Sequence, residues 1–543
     1  MKPQIVNIIN FQRGCEPRNP DLDLLKPLHE QLRLVVDKQL PATFLLQYDA
    51  LIRPDFCREL RLALEKFPAI EIGCWLEIVQ PLVEKAGLVW PGRPGFAWDW
   101  HAQAGTPMGY KPEERYKIID VYMADFKAIW GYYPHSVGAW AMDIASLTYM
   151  QEQYGLEAAC ICKDQWGTDG YTLWGGYFNQ AYYPSRQNMF CPAQNENNQV
   201  SIPIFRMLGS DPIYQYDPNL LRQDRQKPQD WMDVVTLEPV YPGYGGRTDW
   251  VDWFFRENYN GLCLSFGYAQ AGQENSFGWE GMAAGLTYQI DKIAAGRAEG
   301  KLTPETLGDT GRRYRKNYKT TAASVVAAMS DWNGQGRQAI WYSSRYYRLG
   351  LLRQNGHAFI RDLYQFDEQY PERYRETTVQ GDTYTYDNLP LIDGSRWQPS
   401  PDAADPQPTG LSVWRQETEG SGIWQELEVG DLQVQEVDDQ TLLITLFAKG
   451  VAAFQILLYP EHIAWTSLAQ TPWQLRIRLN QAAKTDFCKI ENAGKSPNLL
   501  YQHHQYAYRL PVSGAAARQE EDLILLNPQD KTVILDLSAG RSH

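Results

Sequence analysis

A parallel α/β barrel followed by an antiparallel β-rich domain is the architecture this 543-residue sequence predicts. Two observations predict it. Through about the first 300 residues, short apolar runs alternate with helix-length amphipathic stretches, the rhythm of repeated βα units. Near Ala339 the hydrophobic period falls to two and stays there, the signature of antiparallel strands. The expected division is therefore 1–330 for the barrel and 331–543 for the β-rich, sandwich-like domain.

The elements follow in order. Residues 6–11 form an apolar first strand, and 22–40 carry Leu25, Leu28, Leu32 and Val36 at helical spacing. Residues 42–48 and 71–77 read as the second and third strands, with a helix near 55–66 between them. The stretch 79–109 is rich in Trp, Pro and Gly and reads as loop. A helix over 113–130 leads to a strand at 136–142, a helix at 144–154 and a strand at 158–162. Further strands are expected at 202–208, 234–238 and 262–268, then helices at 280–297 and 304–317. In the β-rich domain, strand signals run from 340–350 to 532–537, interrupted by a Pro-rich surface loop at 396–410.

Composition excludes several function classes. Lys+Arg number 51 against 65 Asp+Glu, a net charge of −14 with no basic block, which argues against a nucleic-acid partner. No run of 18 apolar residues predicts a membrane span. Asn7 and Asn10 interrupt the apolar core a signal peptide needs, and the eight cysteines are sparse, so buried thiols and a cytoplasmic location are expected. A phosphate-binding Gly-Lys loop, a Gly-x-Ser-x-Gly elbow and a dinucleotide fingerprint are all missing. Cys160 and Cys162 alternate across a strand, and no His-x-x-x-His pair marks a barrel strand, so no metal and no cofactor is assigned. Nothing in the pattern fixes an oligomeric state.

Of the 19 Trp, 12 fall at or before Trp279, among many Gln, Asn and Asp. Part of that surplus is core, but indoles beside amides also suit a pocket where sugar faces stack and hydroxyls are read. Asp or Glu closes almost every barrel strand, and in a parallel barrel those ends meet on one face. Paired carboxylates there are the equipment for glycosidic bond cleavage, one protonating the leaving oxygen while the other attacks or activates water.

Asp143, closing Val137-Gly-Ala-Trp-Ala-Met-Asp143, is the first candidate nucleophile or base, although the same position suits a helix cap. Glu274, in Gln270-Ala-Gly-Gln-Glu-Asn-Ser-Phe-Gly-Trp279, is the candidate general acid, with Asp211 as a further catalytic candidate. Substrate binding is expected from Arg13, Trp75, Glu77, Trp140, Asp164, Gln165, Trp166, Asp169, Trp174, Arg206, Glu238 and Gln273. Among them Trp75, Trp140, Trp166 and Trp174 would stack, and Arg206 suits an acidic sugar carboxylate.

The runs Val6-Asn-Ile-Ile-Asn-Phe-Gln-Arg-Gly14, Phe44-Leu-Leu-Gln-Tyr-Asp-Ala-Leu51 and Glu71-Ile-Gly-Cys-Trp-Leu-Glu-Ile78 resemble the opening of the glycoside hydrolase/deacetylase superfamily. That group includes the polysaccharide deacetylases and glycoside hydrolase families 38 and 57. The resemblance covers about residues 5–290. It implies an irregular (β/α)7 barrel, often followed by a β-rich domain, acting on carbohydrate. The deacetylases carry an Asp pair in strand 1 and His-x-x-x-His at strand 3. Here Asn7 and Asn10 stand in strand 1, and Trp75 and Glu77 at strand 3. A carboxylate-pair glycosidase is therefore the primary expectation. The alternatives are a metal-dependent deacetylase-like hydrolase and a non-catalytic glycan-binding protein.

Overall fold

The computed structural model describes residues 2–538 except 162–163, 167–169, 173–174, 208, 215–216, 218–234, 386, 395–408, 419, 480–487, 495 and 504–505; for 164–166, 170–172 and 260 it describes the backbone alone. Among the described residues, eight strands run parallel in one curled sheet, seven of them in a continuous row. Their order is Gly267–Ala271, β1 (Gln4–Gln12), β2 (Ala42–Leu46), β3 (Ile70–Trp75), β4 (Ser136–Ala139), β5 (Ala158–Ile161) and Ile204–Arg206. Thr303–Glu305 also pairs with β1, and Ala181–Tyr182 runs antiparallel along Ile204–Arg206.

Alternation along the strands explains the curl. In β1, Ile5, Ile9 and Phe11 point into the half-barrel, where they meet Leu45, Trp75, Cys160, Phe205 and Tyr268. Val6 and Ile8 face the other way, onto Leu28, Leu32 and Val35 of the helix Leu25–Asp37. Burial of each such aliphatic side chain contributes about 1.5–3 kcal/mol. Leu45 to Ala would leave a hole at the interior seam and cost about 2–5 kcal/mol. Gly138 marks how tight that seam is: a Cβ there would stand 2.5 Å from Leu45 and 2.7 Å from Trp75. The open side of the sheet is filled by rings, with Phe205 and Tyr268 at 5.2 Å and Tyr314 against both Phe205 and Phe266.

Several expected elements differ. The apolar stretch expected as a strand at 262–268 begins instead with a turn, Leu264 having φ +59°, and the strand is Gly267–Ala271, fixed by pairing with Gln4–Ile8. The strand expected at 202–208 narrows to Ile204–Arg206, and 234–238 contributes only the bridge Ser210–Thr236. The helix expected from 304 starts at Leu307, because Thr306 caps it through Asp309 N–H and Thr303–Glu305 is claimed by β1.

From Ser324 the chain is antiparallel. A ten-stranded and an eight-stranded sheet enclose one core, with Leu349, Leu411, Val413 and Leu475 facing Leu446, Phe454, Trp465 and Leu535. The β-rich part is bound to the barrel by Trp341, which donates to the Pro212 carbonyl and stacks on Phe178 at 4.2 Å. Among the described residues no helix is long and apolar enough to cross a membrane.

Candidate active site

Because the strands are parallel, the loops after β1, β3 and Gly267–Ala271 emerge at one end of the barrel. They bring Arg13, Glu77 and Glu274 together. The Arg13 guanidinium donates to Glu77 through Nε and Nη2, both at 3.2 Å, and to Glu274 Oε1 through Nη1 at 2.8 Å. It also reaches the Ser276 hydroxyl at 3.0 Å. All three ionisable groups are buried, with exposures of 2, 6 and 3%.

The backbone around them is built for this meeting. Gly272 has φ +118°, and a Cβ there would stand 2.0 Å from the Ile9 carbonyl, so only glycine lets the strand end come this close to β1. The next residue, Gln273, donates its N–H to Asn10 Oδ1, and Asn275 grips Arg13 from both sides, accepting from its N–H and donating to its carbonyl. Gly14 packs on the Asp49 backbone, and its N–H donates to Asp49 Oδ1 at 3.0 Å. The stretch 79–109, expected as loop, carries the short helices Gln80–Lys85 and Ala102–Gly105, and the segment between them lays the Trp98 ring over the Arg13 guanidinium at 3.9 Å.

The two carboxylates are held differently. Glu77 Oε2 accepts from Arg13, from Gln47 at 3.1 Å and from the Trp75 indole at 2.8 Å, whereas among the described residues Oε1 receives only the Arg13 bond. Burial pushes the Glu77 carboxyl above its usual range, and the Glu274 charge adds to that, against the pull of Arg13 and Trp75. Glu274 Oε1 is taken by Arg13 and Ser276, while its Oε2 is buried with no hydrogen-bond partner among the described residues. Burial lowers the Arg13 pKa, but the charges of Glu274 and Glu77 raise it by more, so the guanidinium stays charged. One cation is left holding two acids. Around this centre, Arg18 lies over Trp98 and Trp100, and Trp100 and Phe277 are exposed at the rim.

The other expected residues fall elsewhere. Asp143 is the cap of the helix Ile144–Tyr154: Oδ1 accepts from Ser146 N–H at 2.9 Å and Oδ2 from its hydroxyl at 2.7 Å. It also pairs with Arg115 at 3.1 Å and is fully buried. Asp211 accepts from two backbone N–H groups and from the indoles of Trp250 and Trp332, and burial raises its pKa. Trp75 is fully buried, one face stacked on Phe11 at 3.9 Å, and half-buried Trp140 stands edge-on to both rings. Arg206 and Glu238 are buried, and the Thr236 hydroxyl donates to Glu238 at 3.0 Å. Gln273 is buried beside Glu274, its carbonyl accepting from Gln31. Asp164, Gln165 and Trp166 sit in a ladder with 170–172, but their side chains, with Asp169 and Trp174, lie outside the described residues. The sequence reading passes over Gln47 and Trp98, and takes in Asn275 and Ser276 only as part of the loop 270–279. Gln47 ends a barrel strand as Glu77 and Glu274 do, and that placement was the available signal.

The sequence matches no family model and no curated protein. Its structure is similar to a protein from Parabacteroides distasonis with the provisional description glycoside hydrolase/deacetylase, at a TM-score of 0.52 and 16% identity, over 72% of this chain and 89% of that one. The chain has that fold. Looser superpositions are found with a protein from Mycobacterium smegmatis provisionally described as a polysaccharide deacetylase (TM-score 0.34, 12% identity, 58% of this chain and 92% of that one). Another is a family 57 branching enzyme from Thermococcus kodakaraensis (0.28, 10%, 59% and 72%). Overlaps that loose add nothing to the fold assignment.

The deacetylases that the opening strands resemble imply a metal, and the described residues do not fit one. Asn7 spends its amide on the Glu305 carbonyl, Thr310 and Tyr268, and Asn10 accepts from Gln273. No three His, Cys, Asp or Glu side chains among the described residues gather as a ligand set.

Proposed function

We propose that the chain is a carbohydrate-active hydrolase that cleaves a glycosidic bond at the barrel mouth, with Glu77 and Glu274 as the carboxylate pair. The observation that carries this reading is the unshared oxygen of Glu274. A buried carboxylate oxygen without a donor is costly in a fold, and it is the group a substrate would complete. Paired with Arg13, Glu274 attacks the sugar or activates water. Glu77, whose pKa burial raises, holds a proton on the less engaged Oε1 and gives it to the leaving oxygen. Arg13 holds both through one guanidinium. Trp100, Phe277 and Trp140 are the aromatic surfaces nearest the rim for a sugar face. The sequence reading gave Asp143 the nucleophile's role; its capping and pairing bonds favour Glu77 as the partner of Glu274.

The test is product detection by mass spectrometry on a broad glycan panel, with wild type, Glu274→Gln and Glu77→Gln, each with and without EDTA. A new reducing end from wild type alone, indifferent to EDTA, supports the reading. Loss of an acetyl mass that EDTA abolishes would replace it with the deacetylase. Turnover unchanged in Glu274→Gln would overturn the assignment of the pair.

A further inference from the structure

A second set of residues carries chemistry far from the barrel mouth, on the β-rich part. The strands Gly410–Gln416 and Trp473–Arg478 pair so that Ser412 lies opposite Arg476 and Gly410 opposite Arg478. Leu411, Val413, Leu475 and Ile477 point into the core, so by alternation Ser412, Trp414, Arg476 and Arg478 share the outer face. There they line a shallow surface groove together with Glu426.

The charges in that groove are unbalanced. Arg476 lies flat on the Trp414 ring at 3.9 Å, with Trp424 at 6.0 Å. Its Nε donates to Gln474 Oε1 at 2.7 Å, and neither Nη has an acceptor among the described residues. Arg478 reaches Asp522 at 3.3 Å, and no carboxylate among the described residues stands within ion-pair reach of Arg476. Glu426 is the nearest acid on the neighbouring strand, but it lies toward His357 at 3.7 Å and burial raises its pKa. Burial and the second guanidinium lower the Arg476 pKa by more than the Glu426 charge raises it. A planar fork set on an indole, with no acceptor for its outer N–H groups among the described residues, matches the two oxygens of a carboxylate or sulfate. The two indoles beside it suit a sugar ring.

We propose that this groove is a second binding site, for an acidic saccharide whose uronate carboxylate or sulfate ester is taken by the Arg476 fork beside Arg478. The anion half of the proposal stands on the groove itself, and the saccharide half rests on the carbohydrate reading of the chain.

Isothermal titration of the full chain tests it. The probes are trigalacturonate, a sulfated disaccharide, maltotriose as the neutral control and inorganic sulfate as the bare anion. The expected result is that at least one acidic saccharide binds and maltotriose does not. Arg476→Ala should then weaken that binding at least about tenfold, and Arg476→Lys, which keeps charge and fold, several-fold through loss of the fork. Glu274→Gln should leave it unchanged, so binding survives even if the barrel reading fails. The trigalacturonate and sulfated-disaccharide arms tell a carboxylate from a sulfate. The proposal is overturned if neither acidic probe binds or if Arg476→Lys binds as wild type does. Inorganic sulfate competing as well as the saccharides would overturn it too, as would loss of binding in Glu274→Gln alone.

Discussion

Two buried clusters in this protein contain the same ingredients, one arginine and two carboxylates, and the fold treats them differently. In the first, Arg115 donates to the carbonyls of Tyr110, Tyr374 and Thr377 and pairs with Asp143. Glu372 completes it, accepting from Ile144 N–H at 2.6 Å and Met189 N–H at 2.8 Å. Every carboxylate oxygen there has a donor from the chain itself, and the cluster rivets the helices Pro112–Trp130 and Ile144–Tyr154 to the 372–377 segment. In the second, Arg13 joins Glu77 and Glu274, and one oxygen is left over. A closed network holds structure together, whereas an incomplete one leaves an acceptor for something that is not protein.

That contrast can be broken by mutation. The largest effect is expected at Glu274→Gln, which should cut turnover about 10³-fold while the melting temperature stays near that of wild type. Glu77→Gln should lower turnover less and remove the alkaline limb of the pH–rate profile, since the raised carboxyl it replaces is the group that must hold a proton. Arg115→Ala should do the opposite. It leaves Asp143 and Glu372 buried without their cation, so denaturant unfolding should show a loss of about 3–5 kcal/mol.

A smaller effect concerns pH. Burial, helped by the Asp143 charge, pushes Glu372 from 4.5 up to about 8. A raised acid favours the folded state while it is protonated, so its contribution is full below pH 4.5 and is lost as pH rises toward 8. Melting temperature should fall across that window, and Glu372→Gln should flatten the slope. Least of all, Lys26→Ala removes an exposed pair with Glu280 and should move neither stability nor turnover.

The sequence made the architecture legible because strand parity and helix spacing are local: Ile5, Ile9 and Phe11 against Val6 and Ile8 announce a strand with two buried faces. It also offered Glu274 as a catalytic acid and Arg13 and Glu77 as binding residues, the two acids because the ends of parallel strands meet on one face. Asp143 shows where that logic stops. An acid that closes a strand and opens a helix has the same signature whether it caps or reacts, and its partners, Arg115 and the neighbouring Glu372, lie far along the chain. Trp75 was expected to stack on substrate because nothing local reveals that Phe11, from another strand, already covers its face. Trp98 was hidden in a stretch that reads only as loop until it folds over Arg13.

The most direct test sets the two clusters against each other in one experiment. Glu274→Gln and Asp143→Asn are prepared alongside wild type, and each is measured for turnover on a glycan that wild type cleaves and for its thermal melt. The expected pattern is crossed: Glu274→Gln melts like wild type and does not turn over, and Asp143→Asn melts lower yet turns over in proportion to its folded fraction. If Asp143→Asn is folded and inactive while Glu274→Gln is active, the roles assigned to the two clusters are reversed.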